Sequence, residues 1–544
     1  MKSLMMNSQL NTLAILRRTH QVYAQREIVT RLKDGSLFRY TNAEFYQRVL
    51  KLMNVLHDLG VKPGDRVATF AWNHHRHYEL YFAVPTMGAV LHTLNIRLFP
   101  DQLTYIANHA NDQVVFVDSG LLGELEAVQA ELKTVKNFIV MDEDGNLPET
   151  SLSPVFEYET LLSTVNAVEE LPDIDENAPA AMCYTSGTTG SPKGVVYSHR
   201  ALYLHSMATC MPDVLGISQR DTILPMTSMF HANAWGIPYA AAMVGAKQVF
   251  PGPNPQPSHL AQLIESEKVT LCSGVPTIWN MMHQYLKDNP CDLSTVRSIV
   301  CGGSAVPRSL METFDKEYDV TITQLWGMTE TTPLGTVSNL QADMLNWDKA
   351  AQYDMRIKQG VPVPGVEIMI LGDEGQELPW DGESMGELCV RGPWVASAYY
   401  DNPESADAFT DDGWFRTGDV ASMDERGFMK IADRTKDLIK SGGEWISSVE
   451  MENNLMAHPL VLEAAVIARP DEKWDERPMA YVVPADGANL TAKELVTFLA
   501  DSFAKWQIPY EEDFRFIETI PKTSVGKFDK KVLRKDYSQE QDTT

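Results

Sequence analysis

Short apolar runs alternate with longer amphipathic segments from about residue 60 to about residue 330. Arg66-Val-Ala-Thr-Phe-Ala71, Val114-Val-Phe-Val117 and Phe138-Ile-Val-Met141 read as buried strands, with a helix between the last two. The runs at 222–225, 248–250, 269–272, 298–301 and 321–325 read the same way. Helical spacing falls at about 257–266, 275–287 and 307–317, and an apolar helical segment is expected over 79–91, interrupted by Pro85 and Gly88. Strands alternating with helices predict an α/β fold of mostly parallel sheets covered by helices. Residues 1 to about 60 read as helical, broken once by the turn dipeptide Asp34-Gly35.

From about 360 the pattern changes. Gly360-Val-Pro-Val-Pro-Gly365 is turn-rich, and strand-like runs at 366–371 and 386–391 follow directly, which predicts a smaller β-rich subdomain. After the charged stretch Ala432-Asp-Arg-Thr-Lys-Asp437 the last segment reads strand, helix (447–458), strand (464–468), strand (480–483), helix (491–503), strand (514–517). It is long enough to fold by itself as a small α+β domain. The expected division is 1–432 and 433–544, with a hinge at Asp433.

One stretch carries most of the chemistry. An apolar run opened by a proline, Ala178-Pro-Ala-Ala-Met-Cys183, reads as a strand. It leads into Tyr184-Thr-Ser-Gly-Thr-Thr-Gly-Ser-Pro-Lys-Gly194. Glycines let backbone N–H groups approach an anion, hydroxyls add donors, and Lys193 adds a compact positive charge. That is the composition of a phosphate cradle, set directly after a strand. It is not the common P-loop, in which Ser or Thr follows the lysine; here Gly194 does. The bland alternative is a flexible polar loop.

Further blocks follow. Gln324-Leu-Trp-Gly-Met-Thr-Glu-Thr-Thr-Pro333 lies past a strand end, where open α/β sheets place their ligands. Trp326 offers a flat face for a purine, Gly327 a close backbone approach, Thr329 a phosphate donor, and Glu330 an oxygen for a hard cation. The alternative is a core tryptophan beside a surface glutamate. Gly302, Gly303 and Ser304 sit in a strand-to-helix joint, Cys301-Gly-Gly-Ser-Ala-Val-Pro307. Asp419 ends the glycine turn Gly413-Trp-Phe-Arg-Thr-Gly-Asp419 and is placed to accept ribose hydroxyls, although Gly-Asp is also ordinary turn chemistry. His231 and Trp235 stand in Met229-Phe-His-Ala-Asn-Ala-Trp235, where a buried core pair is the alternative. Lys440-Ser-Gly-Gly-Glu-Trp445 is a tight loop past the hinge, and Lys527 follows the turn Thr523-Ser-Val-Gly526.

These blocks, in this order, resemble the adenylate-forming superfamily, in its acyl-CoA synthetase branch for medium- and long-chain fatty acids. The resemblance spans essentially the whole chain. It implies that Thr185, Ser186, Gly187, Thr188, Thr189, Gly190 and Lys193 bind the ATP phosphates. It further implies that Gly302, Gly303, Ser304, Gln324, Trp326, Gly327, Met328 and Thr329 surround the adenine and α-phosphate, and that Asp419 and Arg434 hold the nucleotide's ribose side. By the same resemblance Thr185 and Glu330 hold Mg²⁺, His231 and Trp235 border the acyl pocket, and Lys527, His231 and Glu330 are catalytic. The resemblance also implies that Lys440, Ser441, Gly442, Gly443, Glu444 and Trp445 serve the second step with coenzyme A, after a rotation about Asp433. The implied reaction forms an acyl-adenylate with pyrophosphate release, then a thioester with AMP release. Trp326 and Trp445 are small departures from the commonest family pattern. A smaller acid, such as a methylthio-alkanoate or an aryl acid, stays open as substrate. From other classes, so does a non-catalytic nucleotide- or acyl-binding protein.

The chain of 544 residues, 44% hydrophobic, is large enough for several domains. Its formal net charge of −27 argues against nucleic-acid partners and against docking to anionic membranes. The six cysteines include no Cys-x-x-Cys pair, and free buried thiols are expected. No apolar run reaches membrane-spanning length and the start lacks a signal-peptide core, so a cytoplasmic protein is expected. The expected partners are small molecules: ATP with Mg²⁺, a carboxylic acid and coenzyme A. A homodimer, the commonest assembly, is possible.

Overall fold

A computed structural model describes residues 4–185, 191–441, 444–471, 473–485, 487–523 and 528–542. Two large sheets, both mostly parallel, form the body, as the alternation of strands and helices predicts. In the first, the strands Arg66–Phe70, Val90–Thr93, Asp112–Asp118, Asn137–Met141, Val155–Glu157 and Pro179–Tyr184 run parallel, and Gly194–Ser198 closes one edge antiparallel. The second runs through Glu27–Arg31, Lys247–Phe250, Thr222–Pro225, Leu271–Gly274, Ser298–Cys301 and Ile322–Trp326 in parallel, with antiparallel strands at both edges. The hairpin Glu27–Arg31/Leu37–Thr41 therefore belongs to the second sheet, although it precedes the first in sequence.

The segment expected to be helical over 79–91 is in fact a helix followed by a strand. The helix His75–Thr86 is buried on every side, and a turn at Gly88, with φ +86°, leads into the strand Val90–Thr93. A helix wrapped by core on all faces carries no 3.6-residue polar stripe, so its boundaries are hard to see in sequence. Its one acidic side chain, Glu79, is fully enclosed and held by Arg48 Nε at 2.7 Å and by the Tyr158 hydroxyl at 2.6 Å.

A four-stranded antiparallel sheet, Glu367–Leu371, Gly386–Arg391, Phe415–Met423 and Met429–Arg434, is the β-rich subdomain. Beyond it a C-terminal assembly has its own core, in which Ile439, Met451, Val466, Val482, Leu495 and Leu499 meet. Its sheet is built on the long hairpin Val461–Asp471/Asp475–Pro484, and the helix Lys530–Asp542 packs against it. Among the described residues no helix is long and apolar enough to cross a membrane.

Candidate active site

The site is assembled where strands of both sheets end. Pro179–Tyr184 and Gly194–Ser198 form a hairpin, and its mouth is tied twice: the Thr185 N–H donates to the Lys193 carbonyl at 3.0 Å, and the Lys193 N–H donates to Thr185 Oγ1 at 3.2 Å. Ser186, Gly187, Thr188, Thr189 and Gly190, the expected phosphate donors, lie outside the described residues. Gly194 lies close under Tyr184 at the base, where a Cβ would sit 3.0 Å from the ring. Tyr184 is anchored in turn by its hydroxyl contact with His109 Nδ1 at 2.7 Å.

The strand Ile322–Trp326 brings the second block to the same place. Gly327 admits no side chain: a Cβ would lie 1.6 Å from the Pro333 carbonyl oxygen. A single 3₁₀ turn, Thr329–Thr331, then presents Glu330, which is buried; burial pushes its carboxyl above the usual range. Three contacts fix it. The Tyr399 hydroxyl donates to Glu330 Oε1 at 2.6 Å, the Ala396 N–H donates to its carbonyl at 2.7 Å, and the Tyr197 hydroxyl donates to the neighbouring Thr329 carbonyl at 2.8 Å. The Lys193 ammonium lies over the other side of the same tyrosine, 4.7 Å from the ring centroid of Tyr399.

Asp419 comes from the strand Phe415–Met423 and is almost fully buried. Trp326 Nε1 donates to its Oδ2 at 3.1 Å, and Arg434 Nε meets its Oδ1 at 2.6 Å; Arg434 sits directly across the strand pair from it. Trp326 is itself buried, and a Cβ on Gly335 would be 2.4 Å from its ring. Its indole thus orients Asp419 while packing on the Gly335 backbone. Arg434 and Asp419 both act electrostatically on Glu330, so Asp419 and Glu330 share one neighbourhood.

Gln324 works inside the protein. Its Oε1 accepts from the Val306 N–H at 2.6 Å, and its Nε2 donates to the carbonyls of Ile357 and Lys358, both at 2.9 Å. It pins the 302–307 joint to the strand end. Gly302 packs directly on Leu325, and Gly303 makes the turn with φ +85°; Ser304 is exposed beside them and Met328 is half-buried.

His231 opens an unusual turn. Ala232, Asn233, Ala234 and Trp235 all have φ between +43° and +57°, so four successive non-glycine residues run left-handed, ending at Gly236 with φ +67°. Each such residue costs roughly 1–2 kcal/mol. Several clamps hold the turn. Asn73 accepts from the Met229 N–H and donates to the Pro225 and Thr227 carbonyls, while Asn233 Oδ1 accepts from Cys183 Sγ at 2.9 Å and from Thr93 Oγ1 at 3.5 Å. A cavity of about 20 Å³, room for one water, lies between His231, Thr185, Leu94, Leu98, Ile106 and Phe230. Trp235 is half-buried at the end of the turn.

Residues 440–445 stand apart from this cluster in the chain. Lys440 and Trp445 face each other across the hairpin Ile439–Ser441/Glu444–Ile446, with the Lys440 ammonium 5.5 Å from the Trp445 ring centroid. Ser441 is buried, and Gly442, Gly443 and Lys527 lie outside the described residues. Asp433 is buried, and its Oδ2 accepts from the Ser448 N–H at 2.7 Å and from the Ser448 hydroxyl.

Motif reading did not find Tyr399, Asn73 or Tyr197. Tyr399 precedes an ordinary Asp-Asn-Pro turn, and nothing local marks its hydroxyl as aimed at Glu330.

A metal site fits this donor set. Thr185 and Glu330 offer only hard oxygens, and among the described residues no group of three His, Cys, Asp or Glu could cage an ion. So sparse a set suits Mg²⁺, which keeps waters and takes substrate phosphate oxygens.

Comparison with known proteins agrees with the architecture. The model of the AMP-binding enzyme family matches residues 16–400, and that of the AMP-binding enzyme C-terminal domain matches residues 450–527. The chain is 48% identical over 537 residues to a long-chain-fatty-acid–CoA ligase of Thermus thermophilus, covering 98% of this chain and 97% of that one. It is 43% identical to a medium-chain-fatty-acid–CoA ligase of Ectopseudomonas oleovorans and 42% identical to a 3-methylmercaptopropionyl-CoA ligase of Ruegeria lacuscaerulensis, each over 98% of this chain and 97% or 98% of theirs. Among solved structures, ATP-bound MatB from Rhodopseudomonas palustris superposes with a TM-score of 0.82 at 25% identity, over 97% of this chain and 99% of that one. The chain belongs to the AMP-binding enzyme family, as an adenylate-forming acyl-CoA synthetase.

Proposed function

We propose that this enzyme activates a medium- or long-chain fatty acid as its acyl-adenylate and then passes the acyl group to coenzyme A. The observation that carries the site assignment is the set of contacts that ties Lys193 and Glu330 to Tyr399, and Asp419 to Trp326 and Arg434. The similarity to fatty-acid ligases supports the acid, as do the apolar walls of Leu94, Leu98, Ile106 and Phe230 beside His231. The 42% identity to a 3-methylmercaptopropionyl-CoA ligase favours a short thioether acid as the second reading.

A carboxylate and a triphosphate repel, so the site must hold both and align them. In this reading Lys193 and the 186–190 loop take the β- and γ-phosphates, which leave as pyrophosphate. Asp419 accepts the ribose hydroxyls, Arg434 steadies it, and Lys527 approaches the α-phosphate. Thr185 and Glu330 would hold Mg²⁺, which when bound neutralises phosphate charge. His231 borders the acid's carboxylate. The cavity beside His231 has room for about one water, so in this reading a bound acyl chain needs more space there than is open. Residues 433–544 form a mobile domain; rotation about Asp433 replaces Lys527 by the Lys440–Trp445 loop for the attack of the thiol.

The test is AMP release with ATP, Mg²⁺, coenzyme A and saturated acids from acetate to palmitate, with 3-methylmercaptopropionate and anthranilate alongside. The proposal expects kcat/KM to peak between octanoate and palmitate. A peak at 3-methylmercaptopropionate or at a shorter acid overturns it in favour of the second reading.

A further inference from the structure

We propose that Tyr399 is a positioning residue that holds Lys193 and Glu330 as two separate charges, ready for a magnesium nucleotide. The proposal rests on the roles assigned above to Lys193 and Glu330. One side chain touches both: the ring face lies under the Lys193 ammonium at 4.7 Å, and the hydroxyl donates to Glu330 Oε1 at 2.6 Å. An ammonium and a carboxylate left facing each other in a partly dry site attract strongly. Closed into an ion pair, they would neutralise the two groups that a phosphate and its metal need. Lys193 and Glu330 instead each meet Tyr399, the ammonium at the ring and the carboxylate at the hydroxyl. The tyrosine offers each its complement: an electron-rich face to the cation and a hydroxyl proton to the carboxylate. Each contact leaves the charge of its partner uncancelled, because neither a ring face nor a hydroxyl carries a full opposite charge.

The backbone around Tyr399 is fastened to the same two elements. The Tyr400 N–H donates to the Gly194 carbonyl at 2.8 Å, directly after Lys193, and the Ala396 N–H donates to the Glu330 carbonyl at 2.7 Å. The Tyr399 N–H donates to Ser405 Oγ at 2.7 Å, and its ring packs edge-on against Phe415 with centroids 6.4 Å apart. Segment 396–400 thus bridges the base of the phosphate loop and the Glu330 turn. Tyr399 carries that bridge into the side chains.

The test is calorimetric binding of α,β-methylene-ATP, in EDTA and in Mg²⁺, to the wild type, Tyr399→Phe, Tyr399→Leu and Glu330→Gln. No acid is present, so nothing turns over. Tyr399→Phe keeps the ring under Lys193 and loses only the hydroxyl. It should bind the metal-free analogue within about twofold of wild type yet lose about fivefold or more of the tightening that Mg²⁺ gives. Tyr399→Leu should weaken binding under both conditions. In turnover, the KM for the acid should stay within about twofold for Tyr399→Phe while the KM for Mg·ATP rises. Full Mg²⁺ tightening in Tyr399→Phe, with loss in Glu330→Gln, overturns the role of Tyr399 and leaves that of Glu330 intact. Full tightening in Glu330→Gln overturns the metal-ligand reading, and the role of Tyr399 with it.

Discussion

Asp419 is held from both sides, by the Trp326 indole and the Arg434 guanidinium. In the proposed role of Asp419 as ribose ligand, such preorganisation lowers the cost of ordering the acid. Asp419→Asn keeps the shape but loses the charge that Arg434 balances. It should raise the KM for ATP by roughly 10- to 100-fold, the worth of a charge-assisted hydrogen bond, with the acid's KM little changed. Initial-rate kinetics in both substrates would check this. A different residue-scale effect concerns stability. His75 is buried, stacked on Phe38 at 4.1 Å, and neither of its ring nitrogens has a hydrogen-bond partner. Burial holds it neutral, well below the usual histidine range; His77 and His205 are pushed down to about 3 and His199 to about 4 for the same reason. The unfolded chain protonates these groups below 6.5, so the stability they confer is complete above that pH and drains away as the pH falls. One such histidine costs about 2 kcal/mol at pH 5. His75→Phe removes that cost without breaking a hydrogen bond. Thermal melting at pH 7.5 and 5.0 should show a smaller gap between the two midpoints than in wild type.

At the scale of elements, the 231–236 turn is the least ordinary piece of the fold. Four left-handed residues in a row are strain that the surrounding clamps of Asn73, Asn233 and Cys183 must overcome, and such strain gathers at functional sites. Gly236→Ala adds a further left-handed alanine and drives a Cβ to 2.5 Å from the buried His205 ring. It should cost about 2–4 kcal/mol and raise the KM for the acid more than that for ATP. A melting curve with paired KM values checks both parts. Sequence could name the residues of this turn but not its hand, because Ala-Asn-Ala-Trp carries no glycine to announce left-handed backbone. Where a run was short, apolar and bounded by turns, the reading worked: 222–225, 298–301 and 386–391 are strands to the residue. It failed at 79–91 because a wholly buried helix and the strand after it share one apolar composition. The candidate site was read from its glycines and charges. Gln324 was read as facing the nucleotide, but its amide bonds run to backbone groups of Val306, Ile357 and Lys358, which only the fold brings together.

For the whole molecule, the proposed rotation turns on the junction at Asp433. Asp433 is the penultimate residue of the strand Met429–Arg434, yet its carboxylate is bound by Ser448 of the C-terminal assembly. Lys530 adds to this junction: its ammonium meets Glu452 Oε1 at 2.7 Å and Ser448 Oγ at 2.5 Å. Asp433→Pro should stiffen the chain there, sparing acyl-adenylate formation and suppressing thioester formation. Because it also removes the carboxylate, Asp433→Ala is its control and should suppress the second step far less. Single-turnover assays of each half-reaction would show this; equal loss of both half-reactions in Asp433→Pro contradicts the hinge.

The most direct test of the central claim is the identity and ratio of products from purified protein given ATP, Mg²⁺, palmitate and coenzyme A. The account predicts AMP, pyrophosphate and acyl-CoA in equal amounts, with AMP turnover abolished when either the acid or coenzyme A is left out. ADP and inorganic phosphate, or nucleotide binding with no product for any acid, would contradict it.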